Sequence, residues 1–480
     1  MGLQAKATSG ILWSIGQQFG VRFIGVLVSI WLARLLSPAE FGLIAMLTIF
    51  IAIGTSLMDS GLTTSLIRTQ DATQRDYSTV FFFNLAGGVL IYLILYVAAP
   101  FIADFYRQPL LTSIVRVYSI TLVINAFYSI QNTLLTKEMK FKIQTAIQIP
   151  SIIIGGVVGL IMAIRGWGVW SIVGMQLTNT LVATVLHWYF SPWRPALVFD
   201  VPRFKHHFHF GYKMTLSGML ETLYQNIYTI IIGKAFSATQ LGFYARADSL
   251  SQLPVGIISS AINKATYPMF AMISDDNLKL KMVYKKLMQQ VLFWNAPVLI
   301  FLAVIAHPLI ELLLTSKWLP SANYFQILCV AGVLYPLHSY NLNILKVKGH
   351  SAQFLKLEVI KKVLGIVGIL CVLPFGIYGL LYFQLFFTVL AYYINSIYSG
   401  KLINYSITEQ IGDISPILLL AGMAGVICYL VDQWYMSHFS LSHILRICGL
   451  GVLYGILYLG ISSLMKLSAI TDFKQLILKI

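Results

Sequence analysis

Several stretches of this chain run on without a single charge, among them Val89–Ala99, Ile147–Ile164 and Ile417–Leu430. Repeated apolar runs of about 20 residues are membrane-crossing helices, because a helix rises about 1.5 Å per residue and the hydrocarbon core is about 30 Å thick. A membrane β-barrel would show short alternating segments instead. Composition closes off the soluble alternative. The chain is 58% hydrophobic and 10% charged, against about 25% charged in a soluble domain. No soluble core of this size hides so much apolar surface. The chain therefore reads as an all-α polytopic membrane protein.

The pattern predicts about 14 transmembrane helices, at 9–36, 40–67, 77–104, 109–136, 143–165, 167–190, 211–236, 242–270, 287–315, 319–345, 353–374, 377–401, 415–434 and 444–466. Connections are short, and the longest, 191–210, carries SPWRP and the basic run RFKHHFHF. The net charge of +16 would suggest nucleic acid on a soluble protein. Here it marks orientation, since Lys and Arg collect in cytoplasmic loops. Alternate loops hold twenty Lys and Arg on one side, including Lys137, Lys140, Lys285 and Lys348, against six on the other, including Arg34, Arg107 and Lys234. Both termini are thus expected in the cytoplasm. The first helix is expected to be retained, as no cleavable signal pattern precedes it. Cys329, Cys371, Cys428 and Cys448 lie in apolar segments without metal-type spacing and read as structural. The histidines of FKHHFHF stand in a basic loop without a Cys or carboxylate cluster, so a solvated amphipathic link is expected there and no metal.

The chain also repeats itself. LLSPAEFGLIA at 35–45 returns as AFSATQLGFYA at 235–245, with Ser37, Gly42 and Ala45 answered by Ser237, Gly242 and Ala245. GVWSIVGMQL at 168–177 returns as GIYGLLYFQL at 376–385, and Pro100–Asp104 echoes Pro308–Glu311 more weakly. The echoes link helices 1–6 to helices 7–12. Six is even, so both copies enter from the same side as parallel repeats about an axis along the membrane normal. The expected organisation is an N-lobe at 1–190, a basic cytoplasmic linker at 191–210, a C-lobe at 211–401, and helices 13 and 14 with a cytoplasmic tail at 402–480. Two six-helix lobes with a site between them suit alternating access.

Five segments carry a family resemblance: LARLLSPAEFGLIA, DSGLTTSLIRTQ at 59–70, RGWGVWSIV at 165–173, LGFYARADSLSQLPVG at 241–256 and SKWLPSANYFQIL at 316–328. The chain resembles Wzx-type polysaccharide flippases of the multidrug/oligosaccharidyl-lipid/polysaccharide exporter superfamily, in the branch of colanic-acid and teichuronic-acid exporters. The resemblance covers roughly residues 5–400. It departs at YPMFAMISDD, where Ala271 stands for a serine common in the family. The resemblance implies a bacterial cytoplasmic (inner) membrane location. It also implies a substrate, an oligosaccharide on undecaprenyl diphosphate moved from inner to outer leaflet for surface polysaccharide or lipopolysaccharide assembly. A monomer in contact with membrane lipid is expected, with a polymerase and a chain-length regulator as partners and no nucleic acid.

Charges inside the spans are the residues most worth weighing, since each costs at least about 2.5–3.5 kcal/mol near the bilayer centre. Counted from the outer hairpin, Arg22 lies roughly 20 Å in at about 1.5 Å per residue, and Glu221 lies at nearly the same depth in helix 7. Ser14, Gln18, Arg22, Gly25 and Ser29 form one helical stripe, and Lys213, Ser217, Glu221, Tyr224 and Tyr228 form the corresponding one. Either Arg22, with Gln18 beside it, takes a diphosphate by bidentate contact, or it is neutralised by Glu221 or Asp59. Lys213, Lys264, Lys361 and Lys362, nearer the inner ends, either gather the anionic head group or are snorkelling anchors. Glu358 is spaced to pair with Lys361 and Lys362. Arg116, Arg246 and Asp248 stand toward the outer face, where contact with sugar or diphosphate is the functional reading. Glu221 and Asp59 are candidates to couple transport to H+ or Na+, although Asp59 also reads as a cap before Gly61. Pro254 should kink helix 8 and offers a gate.

Two other functions compete with this reading. A polysaccharide polymerase or ligase would need a large outer loop with clustered catalytic groups, and the outer loops here are short. A cation-coupled multidrug exporter of the same superfamily would favour an acidic cavity, whereas the deepest cationic residue here is an arginine. No G-x-x-x-x-G-K-[ST] motif is present. No cofactor is expected beyond a coupling ion, and a transporter is expected rather than an enzyme.

Overall fold

The computed structural model describes residues 3–438 and 442–471, with side chains described except at 3–15, 17–19, 257–258, 260–265 and 437. Among the described residues the chain forms helices and turns and no strand. Contacts divide it into two compact units, Met1–Gly242 and Phe243–Ile480.

The first unit holds α1 (Leu3–Leu35), α2 (Pro38–Asp59), α3 (Leu62–Arg68), α4 (Gln74–Tyr106), α5 (Leu110–Tyr118), α6 (Ile120–Lys137), α7 (Phe141–Ile164), α8 (Trp170–Phe190), α9 (Val201–Gln225) and α10 (Ile227–Ala235). It also takes the first residues of α11 (Ala238–Met272). α7 packs on α1 and α8 through glycines. A Cβ on Gly155 would stand 2.8 Å from the Met175 carbonyl oxygen, and one on Gly156 would stand 2.7 Å from Val28. Small residues let helix backbones approach where lipid removes the hydrophobic drive for association. One end is closed by an apolar cluster of Leu62, Leu66, Tyr77, Val80, Phe81 and Ile130, against which Trp188, Trp193, Phe204 and Phe208 pack.

The second unit holds the rest of α11, then α12 (Asn277–Val304), α13 (Ala306–Leu314), α14 (Pro320–Gly332), α15 (Tyr335–Val347), α16 (Ser351–Val372), α17 (Gly376–Leu402), α18 (Ile407–His438) and α19 (His443–Leu464). Its core is aromatic, with Trp318, Tyr284, Tyr340, Phe270, Phe293 and Phe325 fully buried. Several polar groups inside it are paired. Tyr284 donates to Asn341 Oδ1 at 2.7 Å, and Asn341 Nδ2 donates to Ser396 Oγ at 3.2 Å. Tyr454 and Tyr458 donate to the Ala421 and Phe293 carbonyls at 3.1 and 2.9 Å, tying α19 to α18 and α12. Arg446, itself partly buried, forks onto both oxygens of the buried Asp432, a pairing that suits the rigid guanidinium.

Among the described residues, eight stretches are long and apolar enough to cross a membrane: Pro38–Asp59, Gln74–Tyr106, Leu110–Lys137, Phe141–Ile164, Asn277–Val304, Ser351–Leu402, Ile407–Met436 and His443–Leu464. Each of the predicted spans falls on one helix or on a broken pair. The 40–67 span breaks at Ser60 and Gly61, both in the left-handed region at φ 46° and 67°. The 109–136 span breaks at Ser119 and the 287–315 span at Ile305. The linker 191–210 is a loop only in its first half. α9 begins at Val201, because Asp200 accepts from the Arg203 backbone N–H at 3.2 Å and Pro202 fits the first turn.

Candidate functional site

The repeated sequence takes the same local shape twice. Ser37 and Ser237 immediately precede α2 and α11. At the first, the Ser37 backbone N–H and hydroxyl both donate to Glu40 Oε2, at 2.6 and 2.8 Å. At the second, the Ser237 N–H donates to Gln240 Oε1 at 3.3 Å, and the Gln240 N–H returns to Ser237 Oγ at 3.2 Å. Both are Ser-x-x-Glu/Gln caps of a helix start. The other echo agrees at the backbone, since Gly168 and Gly376 are both left-handed, at φ 55° and 75°.

The two capped turns also touch, reciprocally. A Cβ on Gly42 would lie 1.8 Å from the Ala238 carbonyl oxygen, and a Cβ on Gly242 would lie 1.8 Å from the Pro38 carbonyl oxygen. Pro38 and Ala238 are equivalent positions under the 200-residue offset, as are Gly42 and Gly242. The contact is therefore two-fold symmetric within the first unit, backbone to backbone, with a glycine Cα–H facing a helix-start carbonyl each time. Glu40 extends over the Gly168 turn, where a Cβ would meet its Oε1 at 2.4 Å.

A second backbone crossing joins α9 to the break between α2 and α3. A Cβ on Gly61 would stand 2.6 Å from the Gly211 carbonyl oxygen, and one on Gly211 would stand 2.2 Å from the Ser60 carbonyl oxygen. One turn before Gly211, His207 is wholly buried. Its Nδ1 takes part in a 2.8 Å bond with Ser65 Oγ, and its Nε2 lies 3.3 Å from Asp76 Oδ1. Asp76 also caps α4 through Thr73 and pairs with Arg203. Burial pushes the His207 pKa below its usual value, outweighing the pull of Asp76 in the other direction. The expectation of a solvated histidine link is corrected here for His207: Asp200 starts α9 early, and the helix turns this residue into the core. His206 and His209 stay partly or fully exposed.

The charged candidates fall into distinct settings. Arg22 is exposed on α1 and forms no ion pair among the described residues. Asp59 is bound to Thr63 and Asn84, not to Arg22. Glu221 is exposed and accepts from Gln225 Nε2 at 3.0 Å. Lys213 is exposed beside the Tyr212 ring. Lys361 is buried and pairs with Glu358, while Lys362 is half-buried. Arg116 donates to the Tyr96 carbonyl at 3.3 Å and lies over that ring. Arg246 is buried above the Trp318 ring, and Asp248 and Pro254 are half-buried on the same helix. The side chains of Gln18 and Lys264 lie outside the described residues.

The unit also carries an apolar cleft of about 360 Å³, lined by Ile49, Ile53, Phe101, Tyr106, Leu223 and Ile230 among others. Two polar residues went unnoticed in the sequence, Asn84 and Asp76, and His207 was expected in solvent. Asn84 had a usable signal, a lone amide in the uncharged run FFFNLAGGVL.

Comparison with solved structures gives the class first. The fold matches a lipid II flippase MurJ in an inward closed conformation, with a TM-score of 0.70 over 95% of this chain and 98% of that one at 14% identity. It also matches an inward-facing multidrug resistance MATE family transporter of the MOP superfamily, with a TM-score of 0.61 over 80% and 96% at 14% identity. This is the exporter fold that the resemblance implied. The family follows from sequence. Residues 31–323 match the family described as Polysaccharide biosynthesis protein, and the chain belongs to that family. Among its relatives are the lipopolysaccharide biosynthesis protein WzxC of Escherichia coli, 26% identical over 70% of this chain and 68% of that one, and the teichuronic acid biosynthesis protein TuaB of Bacillus subtilis, 29% identical over 62% of each. The succinoglycan biosynthesis transport protein ExoT of Rhizobium meliloti is 24% identical over 69% and 68%. The Wzx-type resemblance is borne out, and the chain is a multi-pass membrane protein.

Proposed function

We propose that this protein is a flippase that carries undecaprenyl-diphosphate-linked oligosaccharides from the inner to the outer leaflet of the bacterial cytoplasmic membrane. The transport cycle is alternating access, with 14 spans in two parallel six-helix lobes followed by two further helices. Relatives named for polysaccharide and teichuronic acid biosynthesis support the substrate class, and the MurJ-like fold supports lipid-linked cargo. The observation that carries the cycle is the reciprocal contact of Gly42 with Ala238 and Gly242 with Pro38. It brings the two copies of a repeated hairpin together at the predicted outer ends of their helices, where an inward-open carrier needs a seal. Opening outward separates that contact.

Arg22 takes the diphosphate. It is a guanidinium within an apolar helix, exposed and without an ion-pair partner among the described residues, and it suits bidentate phosphate contact. Lys213 and Lys362 add positive potential on the loading side, whereas Lys361 is already committed to Glu358. The test is reconstitution of Arg22→Ala and Arg22→Lys in liposomes containing the glycan-lipid. Arg22→Ala should abolish flipping in folded protein, and Arg22→Lys should retain part of it. Normal flipping by Arg22→Ala removes Arg22 from the site.

A further inference from the structure

Asp59 closes α2 inside an apolar segment, one residue before the chain breaks at Ser60 and Gly61. Three donors converge on its carboxylate. The Thr63 backbone N–H reaches Oδ1 at 3.3 Å, the Thr63 hydroxyl reaches Oδ2 at 2.9 Å, and Asn84 Nδ2 reaches Oδ1 at 3.5 Å. No Lys, Arg or His pairs with it among the described residues. Around this point α3 offers Thr63, α4 offers Asn84, α6 offers Ser129, and α9 offers the Gly211 backbone. On α9, His207 is bonded to Ser65 and Asp76 instead, and His209 and Lys213 are exposed.

Asn84 is the second observation. It is wholly buried, and while its Nδ2 donates to Asp59 and to Ser129 Oγ at 3.2 Å, its Oδ1 has no donor among the described residues. A buried amide oxygen left unmatched is destabilising. The group beside it that can supply the missing donor is a protonated Asp59. Turning the amide by 180° about its last bond brings Oδ1 to the carboxyl without changing volume. It gives up the Nδ2–Ser129 bond and carries Nδ2 to the place Oδ1 held, while Ser129 keeps its own bond to the Ala126 carbonyl at 3.2 Å.

We infer that Asp59 is a proton-binding site, with the carboxylate held by Thr63 and Asn84 Nδ2, and the acid held by Thr63 and Asn84 Oδ1. One proton from the aqueous phase joins one carboxylate oxygen, the site charge goes from −1 to neutral, and no other atom is exchanged. A metal cation fits poorly, because the partners aim N–H and O–H donors at the carboxylate rather than oxygen lone pairs. The position gives the proton something to act on. Asp59 holds Thr63, in the first turn of α3, and the Ser60–Gly61 break between them is wedged against Gly211 of α9. Protonation weakens the Thr63 bonds and loosens that wedge. Its use in driving transport rests on the flippase reading. The protonation itself does not.

The test is infrared difference spectroscopy of the full-length protein in liposomes as bulk pH is stepped, with Asp59→Asn and Asn84→Ala as variants. Wild type should show a protonated-carboxyl carbonyl band that comes and goes with pH. Asp59→Asn should lose that one band, and Asn84→Ala should keep it at a shifted frequency, having lost the acceptor. A spectrum that Asp59→Asn leaves intact overturns the assignment. So does a response to Na+ that replaces the response to pH and disappears in Asp59→Asn. If Asp59→Asn does not fold, Asn84→Ala decides alone, and an unshifted band overturns it. A failure of the flippase reading would appear as absent lipid movement and leave this spectrum unchanged.

Discussion

Replacing Gly242 by alanine puts a methyl group 1.8 Å from the Pro38 carbonyl oxygen, where contacts under 3.0 Å essentially never occur. The neighbour is backbone, so the two hairpins must part by about 1.2 Å, the difference between those distances. Because the contact is two-fold, that movement also opens the Gly42–Ala238 pair. Two Cα–H···O contacts are lost, each worth roughly 0.5–1 kcal/mol. The sealed state is then penalised by about 1–2 kcal/mol, a factor of roughly 5–30 in population. The check is a distance distribution between spin labels at Ala39 and Thr239, with Cys329, Cys371, Cys428 and Cys448 replaced. Gly242→Ala and Gly42→Ala should each shift the population toward longer distances by about that factor. The double variant should add little, since either change breaks both contacts. Gly218→Ala, with nothing within 4 Å of its Cβ, is the control. An unchanged distribution in both single variants would refute the reasoning.

Other consequences follow from paired or buried groups. Arg446→Leu leaves Asp432 buried and unpaired and should cost about 3–5 kcal/mol, read as a fall in Tm. Restoring neutrality with Asp432→Leu in the same chain should recover much of it. For His207, the folded-state pKa is depressed, so the unfolded chain binds its proton first as pH falls. Its contribution is complete above about pH 6.5 and is lost as pH drops from there toward the lowered folded-state value. His207→Gln should flatten that part of the stability–pH curve, measured by thermal unfolding. Asp76→Asn removes the charge that holds Arg203 and should destabilise the inner end, with faster proteolysis in the 191–203 segment as the readout.

Spans, repeat and caps were legible because each is a local pattern. Apolar length marks a helix whatever packs on it, and Ser37 and Ser237 announce helix starts through the acceptor three residues on. The breaks were not legible at Ser119 and Ile305, since hydropathy averages over a window and does not register a change in hydrogen-bond register. The break at Ser60 and Gly61 was foreseen only as a turn after Asp59. Glu358 and Lys361 were paired correctly from spacing, but that same pairing withdraws Lys361 from the head-group role considered for it. His207 was misjudged because neighbours in sequence set the expectation, whereas Ser65 and Asp76 decide its setting from 142 and 131 residues away. Lobe boundaries drawn from the repeat and units drawn from contacts differ over 191–242. The former divide by symmetry, the latter by packing, and α9 and α10 pack with the first unit.

The most direct test of the account is the movement of an undecaprenyl-diphosphate-linked oligosaccharide across liposomes that contain the purified wild-type protein and no other. The account predicts that the glycan becomes accessible to an impermeant glycan-modifying enzyme on the far side, at a rate well above protein-free liposomes. No such movement, with efflux of a cationic dye from the same liposomes, would contradict it and assign the fold to drug export.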